Sequence, residues 1–349
     1  MNLYKSLIFI LYLGIFLGSG FRTPAQSRDS ITLYGTLDTV QVIRQRIQHA
    51  NEANAGARVT HISPAILQAN KTRSLAELLT DHTSIYIKSL GTGALSTASF
   101  RGTSASQTRV NWNGINITPP LSGTFDFSQI PVFFTDNINL YYGSSHVKNG
   151  TGAIGGSVNL FTDTDWNRGV NGRVLAEYGS YNTYTVGGQA NISGNKSASK
   201  TRLYYQHSDN DYTYLNKVLT NIPFREKRQD AAYSQFGIMQ EGYFRVSPYT
   251  RLTAVAWYQK NHRNLPQPLG VVNRSQEDQE ENNFRGYAGL DFSRGIHELH
   301  VKAAWLYFCQ TYDIRYDGGL FDPKGNKNRS NTAQVVADYT YSPTCLLYT

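Results

Sequence analysis

The chain has 349 residues, with 33 Lys and Arg against 25 Asp and Glu, a formal charge of +8. The cations are scattered and form no Lys/Arg block, which argues against a nucleic-acid groove, where they must cluster on one face. A mildly basic lumen that attracts anions is compatible with the same excess.

The first residues predict an export signal spanning 1–25. Lys5 supplies a short cationic region, Leu7 to Leu17 an apolar run, and Thr23-Pro24-Ala25 a small-residue cleavage site. The run is short for a membrane span, which needs about 20 apolar residues. An uncleaved N-terminal anchor is the plain alternative. Residues 26–58 read as a polar lead-in holding two extended candidates, Ile31 to Tyr34 and Thr39 to Ile43.

Residues 59–165 read as a small α+β domain. Ser63 as N-cap and Pro64 at the first helical position predict a short helix. Ser74 and Glu77 have capping-box spacing for a second helix, with Leu75, Leu78 and Leu79 on one face. Ser84 to Ser89 alternates as a strand, and 90–109 is a Gly, Ser and Thr stretch. Trp112-Asn113-Gly114 ends a strand in a tight turn. Ile130-Pro131-Val132 precedes a strand at Ile138 to Tyr142.

After Trp166 the texture changes to alternating, Tyr-rich segments near 172–193, 200–214, 231–246, 251–262, 284–294, 298–314 and 332–341. Period-two alternation is the strand signal, and the first segment splits at Gly179 into a hairpin. The stretches 215–230, 263–283 and 317–330 read as long loops. The whole chain holds 24 Tyr and no long apolar run follows the signal, and residues 166–349 suit an antiparallel transmembrane β-barrel of about eight to ten strands. A soluble β-sandwich has a similar composition.

No catalytic set emerges. The eight His are dispersed, and no nucleophile elbow, zinc spacing or carboxylate pair is present, so neither enzyme activity nor a metal or cofactor is expected. Gly150, Gly152 and Gly155 match a dinucleotide fingerprint, but a strand-like run follows them where a helix is required. For Cys309 and Cys345, one exported disulfide and two lone thiols both fit.

Motif order then points to a family. The paired helices, Phe100-Arg101-Gly102, Arg109 to Ile115, Phe127-Ser128-Gln129-Ile130-Pro131, and Gly152 to Leu160 follow one another over about a hundred residues. This succession resembles the plug domain of TonB-dependent outer-membrane receptors. The usual Pro-Gly after the second helix is replaced by Asp81-His82-Thr83-Ser84-Ile85. Asn139 and Tyr142 stand where the family has Glu and Arg, so one plug cation and its neighbouring carboxylate are missing together.

The resemblance implies a bacterial outer-membrane importer, with TonB, outer-membrane lipid and a small cargo of the cobalamin or ferric-siderophore class as partners. The pattern of Ser99 to Ile117 is nearest the cobalamin type. Arg101 becomes the candidate for a forked ion pair with a barrel carboxylate, against a solvated surface arginine. Thr92, Leu95, Ser104, Ser106, Gln107, Leu121 and Ser122 are candidate substrate contacts. Gly102, Gly114, Gly152, Gly155 and Gly156 are expected to serve plug turns. Ile31, Leu33, Val40 and Val42 are candidates for strand addition to TonB, the second pair serving equally well as an ordinary plug strand. A secreted or surface β-rich adhesion protein is the competing reading. A plugged barrel takes about 22 strands, or about 440 residues. Residues 166–349 fall short of that, which predicts a truncated fragment.

Overall fold

The computed structural model describes residues 58–143, 152–218, 223–269, 275–316 and 324–342. All described residues belong to one compact unit, Ala53–Thr349. The expected signal, Cys345, and the Ile31, Leu33, Val40 and Val42 segments lie outside the described residues.

The small domain begins with strand β1 (Arg58–His61) and helix α1 (Pro64–Ala69), whose N-cap Ser63 accepts from the Ile66 amide. Helix α2 (Leu75–His82) carries the full capping box: Ser74 accepts from the Glu77 amide, and Glu77 accepts from the Ser74 amide at 2.8 Å. Two otherwise orphaned amides are satisfied this way. Leu75, Leu78 and Leu79 are fully buried, as their spacing predicts. Asp81 and His82 continue the helix, so no strand starts there; Thr83 closes it, its amide donating to the Leu79 carbonyl.

Strands β2 (Tyr86–Ser89) and β3 (Ser96–Ser99) form a hairpin. The second lies within the Gly/Ser/Thr stretch 90–109. Strands β4 (Thr108–Trp112), β5 (Ile115–Asn116), β6 (Asn137–Tyr142) and β7 (Gly156–Phe161) complete a five-stranded sheet ordered β1-β6-β7-β4-β5. Only β4 and β7 run parallel in it. Val110, Trp112, Ile138, Leu140, Val158 and Leu160 are buried in the common core. The other face carries a buried polar ladder: Asn111 donates to Asn159 and Asn159 donates to Ser157, each at 3.0 Å.

The second part is a wall of eight antiparallel strands: β8 (Gly169–Gly179), β9 (Thr183–Ser193), β10 (Ser197–Ser208), β13 (Tyr233–Ser247), β14 (Thr250–Asn264), β15 (Ser275–Arg294), β16 (His297–Tyr316) and β17 (Lys324–Tyr341). Among the described residues the sheet is open, with β8 and β17 at its edges. Register puts Leu203 opposite Ile238, Tyr205 opposite Phe236 and Ala303 opposite Val335. These belong to an outer, apolar face where Val174 is 82% and Val335 75% exposed. The alternate residues turn inward, among them Arg202, Tyr204, Glu241, Trp257, Gln259 and Arg285, and are buried. Alternation of apolar-out with polar-in is the pattern of a wall between lipid and a filled lumen. No helix among the described residues is long and apolar enough to cross a membrane.

One rim of the wall is closed by tight turns at Gly194 to Lys196, Pro248-Tyr249 and Gly295-Ile296. The opposite rim carries the longer connections, including 209–232 and 265–274. Three expected loops shrink. A hairpin of β11 (Thr213–Asn216) and β12 (Phe224–Lys227) occupies part of 215–230, β15 already begins at Ser275, and β17 at Lys324. The cause is visible in Ser275 to Asn283, SQEDQEENN, which is polar on both faces. Without an apolar face, a strand shows no alternation.

Candidate functional site

The chemistry of this chain is concentrated on the seam between plug domain and wall. An aromatic wedge sets the fit. Phe133 and Phe134 follow Pro131 and point at the wall, where Phe134 lies 5.3 Å from the Trp257 ring and Phe133 5.7 Å from Tyr204. A glycine makes the space: a Cβ on Gly237 would stand 2.6 Å from the Phe134 ring. Trp112 packs edge-on against Trp257 and Tyr287, each at 5.3 Å.

Beside the wedge sits a buried charge cluster. The Asp136 carboxylate accepts from Lys200 at 3.0 Å, from Arg202, and from the Asp163 amide at 3.0 Å. Arg202 also donates to the Phe133 carbonyl at 3.3 Å, and Lys200 donates to the Asp163 carbonyl. Glu241 lies 3.4 Å from Arg202 and accepts from the Tyr243 hydroxyl at 2.8 Å. On the plug side, Lys71 donates to the Thr135 carbonyl at 2.5 Å. Burial alone would raise the Asp136 carboxyl, but Arg202, Lys200 and Lys71 outweigh it and hold it down at about 2. Burial pulls the Lys71 ammonium down to about 8, against the opposing pull of Asp136.

A second tether lies towards the long-connection rim. Asp126 accepts from the Ser96 and Ser128 amides at 3.0 and 3.1 Å, and from Arg263 of the wall at 2.7 Å. Gln235 donates to the Ser128 carbonyl at 2.9 Å, and Asn261 donates to Gln129 at 3.0 Å. A third tether joins the Asn113 turn to β15, β16 and β17. Lys302 donates to the Asn113 carbonyl at 2.5 Å, Asn113 to Tyr287 at 3.1 Å, and Gln334 to the Asn116 carbonyl at 2.7 Å. The seam is therefore polar at three levels, and a polar seam can exchange its partners for water as it opens.

Arg101 is exposed and adopts a positive φ of 48°. The ion pair expected of it has no counterpart among the described residues. There the plug supplies carboxylates, Asp136 and Asp126, and the wall supplies cations. Those residues carry no local signal: Asp136 is 64 and 66 positions away from its wall partners.

The loop candidates divide into two groups. Thr92 and Leu95 are exposed at the β2–β3 turn, and the Thr92 carbonyl accepts from Asn210 at 3.0 Å. Leu121 and Ser122 are exposed on the neighbouring loop, which Asp126 ties to Ser96. Near Asn210, a cleft of about 400 Å³ opens among Asp209, Asp211, Arg228, Asp230 and Asn264. Ser104, Ser106 and Gln107 sit apart in a single 3-10 turn before β4, where Gln107 accepts from the Ser104 amide at 3.1 Å. No three His, Cys, Asp or Glu among the described residues are grouped to hold a metal.

The glycines serve two purposes. Gly114, at φ +86°, follows Asn113 at φ +50° in the tight turn that Asn-Gly predicts, and Gly102 and Gly152 also have positive φ. Gly155 and Gly156 do not: Gly155 lies in the bend that leads into β7, and Gly156 is the first residue of that strand and not of a turn. Their need is space: a Cβ on Gly156 would lie 2.5 Å from the Tyr141 carbonyl and 2.7 Å from the Phe100 ring.

Comparison with known proteins places these features. Residues 51–157 match the family described as TonB-dependent Receptor Plug Domain. The chain is 32% identical over 135 residues to a vitamin B12 transporter, BtuB, of Photobacterium profundum, covering 39% of this chain and 22% of that protein. A BtuB of Vibrio cholerae is 32% identical over 126 residues, 36% of this chain and 20% of the relative. The matched region is thus about a fifth of these relatives' length. Among solved structures, the ferric enterobactin receptor of Pseudomonas aeruginosa superposes with a TM-score of 0.59 at 14% identity, over 82% of this chain and 46% of that one. The ferripyoverdine receptor of the same organism gives 0.58 at 14% identity, over 80% and 39%. At such identities the likeness is one of fold.

Proposed function

We infer that this chain, which carries the plug domain of a TonB-dependent receptor and an open sheet of barrel strands, belongs to an outer-membrane importer for a scarce nutrient. The carrying observation is the seam: a plug matching the family is held by buried ion pairs against a wall whose outer face is apolar. An apolar outer face is what lipid requires, and a polar filling is what a wet lumen requires. The same outer face disfavours a secreted adhesin, which would expose it to water.

Cargo is of the cobalamin class, with ferric siderophores as the second reading. Two relatives at 32% identity are vitamin B12 transporters, and the receptors similar in fold take ferric siderophores. Cargo approaches the rim bearing Thr92, Leu95, Leu121 and Ser122, where the Asp209–Arg228 cleft opens. TonB engages the lead-in at Ile31, Leu33, Val40 or Val42, after export directed by residues 1–25. Arg101, exposed on the plug, makes its forked ion pair with a barrel carboxylate outside the described residues.

The test is uptake of labelled cobalamin and of ferric siderophores by cells carrying the whole gene, with and without TonB. TonB-dependent accumulation of either cargo is the expected outcome. No difference from a strain lacking the gene, for both cargo classes, overturns the reading.

A further inference from the structure

One acid of the charge cluster on the seam makes no hydrogen bond to the cations beside it. Glu241 is fully buried, and its Oε2 has no hydrogen-bond partner. Its register partner across the β10–β13 pair is Lys200. Yet Lys200 turns away to Asp136 and to the Asp163 carbonyl, and Arg202 makes its hydrogen bonds to Asp136 and the Phe133 carbonyl. Glu241 is left with a 3.4 Å approach to Arg202 and with the Tyr243 hydroxyl. Oε2 thus meets Arg202 as an ion pair without a hydrogen bond, which costs stability while the plug is seated.

That cost has a use if the seam opens. Should Asp136 withdraw with no replacement, Lys200 and Arg202 would stand as buried charges without their hydrogen-bonded acid until water reaches them, a large penalty on the opening step. Glu241 stands on the adjacent strand, already beside both. The departing side is compensated as well, because Asp136 leaves together with Lys71, which lies within its electrostatic reach. Parting therefore separates a neutral plug pair from two wall cations that keep one acid.

We propose that Glu241 is a standby counter-ion: it takes over Lys200 and Arg202 when Asp136 leaves, so that the seam opens by exchanging partners. This rests on the importer reading, in which the plug must move and return. Glu241 is a positioning residue in this scheme and touches no cargo.

Hydrogen exchange of the full chain in lipid bilayers tests it, read at the amides of 132–137 and of Asp163 on the seam. Glu241→Gln should slow exchange there by about tenfold or more, because opening then strands the wall cations. Glu241→Asp should restore most of the original rate. Asp136→Asn should speed seam exchange while β10 and β13 stay protected, and the double variant should expose β10 and β13 too. Unchanged or faster seam exchange in Glu241→Gln overturns the proposal. So does failure of either single variant to fold, since the remaining carboxylate should suffice. The measurement needs neither cargo nor TonB. Absent uptake therefore counts against the importer alone, and an unmoved exchange rate against the standby role alone.

Discussion

Asp136 has a pH signature of its own. Its carboxyl titrates at about 2 in the folded chain, against roughly 4 when unfolded. A depressed acid adds stability that is complete above the unfolded value and is lost as pH falls through the folded one. Thermal melts of the full chain should lose about 2 kcal/mol between pH 4 and 2 from this group. Asp136→Asn should lack that component and melt lower at neutral pH. Identical acid profiles for the two proteins would refute the assignment. Gly237 makes a steric prediction at the same scale. Gly237→Ala places a methyl 2.6 Å from the Phe134 ring, and the displaced wedge should cost about 1–3 kcal/mol in the same melts.

At the scale of elements, the outer face is the part to challenge. Val174→Arg, near the middle of β8, should destabilise the chain in bilayers by about 2–4 kcal/mol, measured by denaturant titration. Elements like β8 were legible because alternation is local: each residue pair along Val170 to Tyr178 declares its side. Helices α1 and α2 were legible for a similar reason, since Ser63, Pro64, Ser74 and Glu77 act within one turn. Strand β3 was not, because Ser96-Thr97-Ala98-Ser99 offers only one apolar side chain to bury. The upper part of β15 was hidden by polarity on both faces. The charge cluster was invisible for another reason: Asp136 and Arg202 meet only because two separate sheets are laid together. The family motif implies a plug cation, Arg101, against a wall acid. Among the described residues the seam is joined by plug acids and wall cations instead.

For the molecule as a whole, the three tethers differ in chemistry. The one at Asp136 is ionic and deeply buried, the one at Asp126 mixes an ion pair with amides, and the one at Asn113 runs largely through neutral groups and one lysine. Salt should therefore loosen them unequally, screening the more accessible contacts first. A further asymmetry lies in the two rims. Turns such as Pro248-Tyr249 have no residue to spare, whereas the connection across 209–232 tolerates length, because lengthening a loop adds only slowly to its closure entropy. A short peptide epitope is thus admissible beside Arg228 and not at Tyr249. Labelled with a membrane-impermeant antibody on intact cells, such an insertion converts the difference between the rims into a map of which one faces the outside world.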